Sequence, residues 1–431
     1  MSLKIYLAND LQGRHIIHYT LQLIAFNKSA EFTYIDSPAQ ADFRITDSSD
    51  SDIPHCAQFY QYLTDADFAG LKTLVKGSFH FYSSEGKEDH LAAIFYLVNS
   101  LQEYETKAFD KYGRFPFLES LQHKEGILHR NVVQQLMDDF LASHPALAKI
   151  KATPRRSGFF LTHDIDTIYG AKNQNGDYAL KHHQYHRIPG LLWNHYIGKP
   201  DWLNMDRIMS MEEQHGFKST FYWLVHKDKM NADYDLEHPD ILHQASIINR
   251  KGFEIGLHKS LRETDFDDEL GLIGTIIKDR TVGQRYHFLK FNLPQAWIDI
   301  ENANLKLDTS LGYSEGFGFR NSYGLPFMPY NVKEKRVYDF IEVPMNIMDG
   351  NFFYQGKTVA QAEKELVNWL DTNKENTVIT INFHNNFFDD MLYAGYDKLY
   401  ETILRYFKEE KLTCMTQASL IHEFYQPQLF A

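Results

Sequence analysis

The sequence predicts an α/β fold built on a parallel sheet, on three observations. From Ser157 onward, short apolar and β-branched runs alternate with segments of helical period, the order that sets parallel strands beside helical crossovers. Several runs stop at an ionisable residue. Gly158-Phe159-Phe160-Leu161 leads into Asp164 and Asp166, Gly252-Phe253-Glu254-Ile255-Gly256-Leu257 ends in His258, and the run Thr377–Phe383 precedes His384. Residues i and i+2 of an extended chain share a face, so Asp164 and Asp166 project together. Two carboxylates and two imidazoles at strand ends supply what a hydrolytic metal site needs: ligands, a base and an acid.

The elements follow in order. Lys4–Ala8 reads as a strand and His15–Phe26 as a helix. A helix is expected over His90–Glu105, where Leu91, Ile94, Phe95, Val98 and Leu101 recur at i, i+3, i+4 spacing, and another over Val132–Leu141. These form a small α/β N-terminal domain, residues 1–150. Pro145 to Arg156, where prolines and basic residues interrupt the apolar pattern, marks the boundary to a second domain, 151–431. There the expected elements are strand Gly158–Thr162, helix Met205–His215, strand Phe217–Val225, helix Pro239–Arg250, strand Phe253–Leu257 and helix Asp268–Lys278. Later strands are expected at Arg285–Leu289, Leu305–Asp308, Val337–Val343 and Thr377–Phe383. Arg285 opens its strand in this scheme, unlike the other ionisable residues.

The chain has 431 residues, and its 57 acidic against 44 basic residues give a net charge of −13, which disfavours nucleic acid and anionic membranes as partners. Leu91–Val98, the longest clean apolar stretch of the N-terminal part, is far short of a membrane span. The first ten residues lack the charged-then-apolar pattern of a signal peptide. Cys56 and Cys414 have no zinc-type spacing and make no disulfide framework, so a reducing, cytoplasmic location is expected. Aromatics are 15% of the chain; sugars stack on such rings, but a packed core is the default use of Phe.

Thr162-His163-Asp164-Ile165-Asp166, the run from Gly252 to His258, and the late His384 resemble, in that order, the motifs of the polysaccharide deacetylase superfamily, the NodB homology domain. Met205–Trp223 is similar to that family's first helix and second strand. The resemblance implies a distorted, incomplete (β/α) barrel, whose functional residues lie at the C-terminal ends of the strands. It also implies metal-dependent removal of N-acetyl groups from an acetamido sugar or polysaccharide. Carried over by motif, Asp164 is the base, Asp166 and His258 are metal ligands, Arg285 orients Asp164, and His384 is the general acid. The competing readings are a strand-closing Asx turn for the aspartates, a satisfied core residue for each histidine and a surface residue for Arg285.

One position departs from the pattern. The family shows His-x-x-x-His, but position 262 is Arg, which stays protonated and cannot coordinate. His287, two residues beyond Arg285 and on its face of an extended segment, is the candidate third ligand. Alternation turns His163 away from the aspartates. With neither, two protein ligands and water would hold the ion. Oxygen and nitrogen donors suit Zn2+, with Co, Ni or Fe also compatible. Gly318-Phe319-Arg320 is a candidate for the cleft lining. Tyr169–Trp202, which holds His182, His183, His186 and His195, reads as a lid or sugar-contacting loop. The alternatives to sugar N-deacetylation are a metal-free carbohydrate-binding pseudoenzyme, favoured by Arg262, and hydrolysis of an O-acetyl or non-sugar amide. A third is a barrel that only scaffolds a working N-terminal region. Asp110–Leu147 resembles the lead-in of some bacterial deacetylase domains and reads as scaffold or docking surface.

Overall fold

A computed structural model describes residues 2–47, 51–75, 77–150, 157–277 and 283–430. The N-terminal part carries a three-stranded parallel sheet of β1 (Ser2–Leu7), β2 (Glu31–Tyr34) and β3 (Phe43–Ile45), in the order β2-β1-β3. The helix Arg14–Asn27 makes the crossover from β1 to β2. The expected helix from His90 ends early, at Val98. Ser100 takes a left-handed φ of 49°, which breaks the helical run, and a 3-10 turn at Leu101–Glu103 follows.

The second sheet is larger. Its strands are β4 (Gly158–Ile165), β5 (Ser219–Trp223), β6 (Glu254–Lys259), β7 (Gly283–Tyr286) and β8 (Leu307–Asp308). After a small antiparallel hairpin, β9 (Tyr330–Asn331) and β10 (Arg336–Val337), come β11 (Ile341–Glu342), β12 (Ile347–Met348), β13 (Val378–Asn382) and β14 (Thr413–Met415). The order is β11-β8-β7-β6-β5-β4-β13-β12, and every ladder is parallel. β14 pairs with Gly158–Phe160 of β4, whose other end, Leu161–Ile165, pairs with β5. β4, β5 and β13 are buried along their whole length, as parallel strands covered on both faces are.

Chain connectivity curls this sheet into an incomplete (β/α) barrel. Its two edge strands, β11 and β12, are separated by residues 343–346 alone, a link that spans at most about 17 Å. The link touches both sides: Val343 N–H donates to Asp308 O at 2.8 Å and Asn346 N–H to Thr380 O at 3.2 Å. Because all strands run the same way, their C-terminal ends crowd around one mouth.

Several expectations are corrected. The strand expected over Val337–Val343 divides, because β10 pairs antiparallel with β9 whereas β11 joins β8 in the barrel. The strand expected at Arg285–Leu289 starts earlier, at Gly283, and stops at Tyr286, since Phe288 and Leu289 take left-handed φ values of 56° and 52°. Arg285 therefore lies near the C-terminal end of its strand, like the other ionisable residues. The helix expected over Asp268–Lys278 spans Phe266–Ile273; residue 278, and 151–156 of the expected boundary, lie outside the described residues.

The two sheets share one continuous buried apolar cluster, in which Ile24 and Phe95 belong with Phe327 and Phe340. Polar contacts tie the same surfaces. Tyr19 Oη donates to Met328 O at 2.9 Å, and Tyr330 N–H donates to Asn99 Oδ1 at 2.8 Å. Arg320, a candidate for the cleft lining in the sequence, is instead buried against the N-terminal part. Its Nε and Nη2 donate to Glu103 Oε1 and Oε2 at 2.9 and 2.6 Å, and its guanidinium lies over the Phe291 and Tyr313 rings. Among the described residues no helix is long and apolar enough to cross a membrane. Removing one partner of a buried ion pair strands the other, so Arg320→Ala is expected to lose about 3–5 kcal/mol of stability by denaturant unfolding. A loss within about 0.5 kcal/mol, as at an ordinary surface position, would show that the pair does not join the two parts.

Candidate metal and catalytic site

Adjacent strands deliver the site. Asp164 ends β4 with Asp166 just beyond it, His258 lies on β6 directly opposite Arg285 of β7, and His384 follows β13. His287 comes from the 3-10 turn after β7 rather than from continued alternation along the strand. Asp164, Asp166, His258, His287 and His384 line a cleft of about 730 Å3.

Asp166, His258 and His287 bring ligand atoms within 4.8 Å of one another. His258 Nδ1 is 3.0 Å from the Arg285 carbonyl. A carbonyl can only accept, so Nδ1 carries a proton, and in the neutral ring Nε2 keeps a lone pair. That nitrogen faces Asp166 Oδ1 at 3.2 Å, and Oδ1 is buried with no hydrogen-bond partner among the described residues. Two donor atoms in this relation need a positive centre between them, either a proton or a cation. Burial pushes the Asp166 carboxyl up, but His287, His258 and His384 outweigh it and hold it well below the usual carboxylate range. One carboxylate and two imidazoles, with the cleft left open beside them, fit a catalytic zinc-type ion.

Asp164 is held differently. Arg285 Nη1 donates to its Oδ1 at 2.8 Å and Asn382 Nδ2 to its Oδ2 at 2.8 Å. Arg285 is itself fixed, donating to the Thr309 carbonyl at 3.0 Å, with its guanidinium 4.8 Å from the Tyr222 ring centroid. Gly256 makes room for that ring, since a Cβ there would lie 2.3 Å from Tyr222 Cε1. Burial raises the Asp164 carboxyl, yet Arg285, with His258 and His384, lowers it below its ordinary value. Asp164 is therefore ionised and fully oriented.

His384 Nδ1 lies 2.9 and 3.0 Å from the two oxygens of Asp349, and its own N–H donates to Asp349 Oδ2. This leaves Nε2 facing the cleft, 3.6 Å from Asp166 Oδ2 and 4.0 Å from Asp164 Oδ2. Burial lowers the imidazole, but Asp349 and the two cleft aspartates raise it to about 10.

Asp349 and Asn382 were not among the residues the sequence singled out. The alternation that pairs Asp164 with Asp166 also pairs Asn382 with His384, so Asn382 was within reach. Asp349 closes β12, a two-residue strand with no periodic signal. Other candidates fall elsewhere. His163 turns outward, its Nε2 2.8 Å from Glu212 Oε1, and Arg262 pairs with Asp228 at 2.8 Å. Tyr169–Trp202 folds into helices anchored through Asn175 and Trp202 on Asp389. None of its residues is among those lining the cleft.

A family model described as a family of unknown function, DUF7033, matches residues 6–143. No curated protein matches. Solved structures similar to this chain include the polysaccharide deacetylase Bc1974 from Bacillus cereus, at 13% identity over 61% of this chain and 94% of that one, with a TM-score of 0.34. Peptidoglycan deacetylase PdaC from Bacillus subtilis is 10% identical over 63% of this chain and 93% of its own, with a TM-score of 0.34.

Asp166→Ala and His258→Ala are each expected to abolish stoichiometric zinc binding without changing the far-ultraviolet dichroism. Normal metal content in both variants after dialysis would place the ion elsewhere.

Proposed function

We propose that this protein is a metal-dependent hydrolase that removes acetyl groups from an acetamido sugar or polysaccharide, its barrel (151–431) working with an accessory N-terminal part (1–150). The observation that carries the reading is Asp164 Oδ2 and His384 Nε2 set 4.0 Å apart on one cleft, beside the ligand group Asp166, His258 and His287. Amide hydrolysis needs both a proton acceptor for water and a proton donor for the leaving nitrogen. A bound divalent cation, with Zn2+ favoured by the donor set, would polarise the acetyl carbonyl and acidify water.

Asp164 takes the water's proton. Arg285 and Asn382 fix the carboxylate without neutralising it, so its free lone pairs remain directed at the cleft. His384 gives a proton from Nε2 to the departing nitrogen, and Asp349 behind Nδ1 both sets the ring and stabilises the imidazolium. Atoms balance: the acetyl carbon gains the hydroxyl of water and loses the amine, which leaves with the proton from His384. The motif order supports a sugar substrate, by resemblance. The reading of a metal-free binder rests on Arg262, and His287 supplies the imidazole that position 262 lacks.

Asp164→Asn is expected to retain metal while losing acetate release by roughly a hundred-fold or more, the usual scale for general base catalysis. Activity within a few-fold of wild type would put the base elsewhere. His384→Ala should lose roughly a hundred- to ten-thousand-fold on an acetamido sugar and much less on an aryl acetate, whose leaving group departs without a proton; equal losses would assign His384 to substrate orientation. The active imidazole is the protonated one, so the alkaline limb of the pH profile is expected at its pKa, which the Asp349 carboxylate raises. Asp349→Asn removes the charge that raises it, and the limb should move to lower pH. An unmoved limb would show that another group sets it.

A further inference from the structure

We infer that the segment Asp110–Arg114, which precedes the barrel, positions His287 as a metal ligand; this rests on the ligand set of the proposed function. The two imidazoles of that set are supported in different ways. His258 is oriented by its hydrogen bond to the Arg285 carbonyl, the usual device for a ligating histidine. His287 Nδ1 is buried and has no hydrogen-bond partner among the described residues. Its ring is held by packing instead. Phe288 stacks on it with centroids 4.2 Å apart and planes at 21°, and Tyr112 stacks on Phe288 at 5.4 Å and 9°.

The backbone beside His287 also needs support. Phe288 and Leu289 are consecutive non-glycine residues at φ 56° and 52°, a conformation that persists only where its surroundings enforce it. Arg114 does so, donating from Nη1 to the Phe288 carbonyl at 3.1 Å. The same buried guanidinium holds Asp110 Oδ2 at 2.7 Å, Ser314 Oγ at 2.6 Å and Glu315 Oε1 at 2.5 Å. A planar fork with five donors can hold these acceptors at once, and a lysine cannot. Arg114 thus joins the lead-in segment to the turn that carries the ligand, and Tyr112 forms the outer end of the ring stack. Arg262, beyond the end of β6 where the resemblance implies a second histidine, and the contact from a residue before the barrel are parts of one arrangement: the replacement ligand adjoins a carbonyl that Arg114 holds.

The test uses the full-length chain and Co2+, titrated against a competing chelator and followed by its visible absorption. Arg114→Ala and Arg114→Lys are each expected to weaken binding roughly 10- to 100-fold, the usual effect of losing a group that orients a ligand. The absorption spectrum of Arg114→Ala should match that of His287→Ala. Arg114→Ala should add nothing further in a His287→Ala background, because both act through one ligand. Affinity within about threefold of wild type for Arg114→Ala, or an equal further loss in the His287→Ala background, would overturn the inference. Should Arg114→Ala fail to fold, Tyr112→Ala, at an exposed ring, is expected to weaken binding in the same direction, and unchanged affinity there would overturn it. Full affinity in His287→Ala would instead remove the ligand assignment, and this inference with it.

Discussion

Arg285 is the residue on which both halves of the site depend. Its backbone carbonyl accepts a hydrogen bond from Nδ1–H of His258 and so turns that ring's other nitrogen toward Asp166, while its guanidinium fixes the ionised Asp164. A single register, His258 opposite Arg285, sets both relations. A slip of one residue would face the wrong side chains into the barrel. The environment of Arg285 follows from that demand: a buried guanidinium needs acceptors on several sides, and Thr309, Asp164 and the face of Tyr222 supply them.

The same parallel sheet separates two carboxylates with different work. Asp164 is bound by donors that keep it charged and fixed, whereas Asp166 turns Oδ1 to His258 Nε2 at 3.2 Å and Oδ2 to His287 Nε2 at 3.6 Å. Across the cleft, the Asp349 carboxylate gives His384 the opposite bias, toward the protonated form. Environment rather than residue type sets the charge of each group here, as in other sites where neighbouring groups push titrations apart. The N-terminal part is bound to this machinery through a continuous core and the buried Glu103–Arg320 pair.

The site-bearing strands were legible because a parallel strand buried on both faces leaves an unbroken apolar run, and the ionisable residue at its end interrupts that run visibly. Gly158–Ile165 and Val378–Asn382 are of this kind. The two-residue strands β8, β11 and β12 carry no periodicity of their own, so the partner of His384 at the end of β12 stayed hidden. His287 was found by an alternation that the chain does not follow: it reaches the cleft through a turn enforced by tertiary contacts from Arg114. No local pattern encodes such a contact, because its two sides are far apart in the chain. Tyr169–Trp202 is the converse case. Its histidines are frequent in sequence, but in the fold they pack on neighbouring tyrosines or face solvent.

The central claim is that one carboxylate and two imidazoles from three different strand ends form a single metal site. X-ray absorption at the zinc edge of the full-length, zinc-loaded protein tests it most directly. The account predicts one ion per chain, with scattering from two imidazole rings whose nitrogens lie at about 2.0–2.1 Å and oxygen completing the shell. A first shell with fewer than two imidazoles, or sulfur among its ligands, would contradict it.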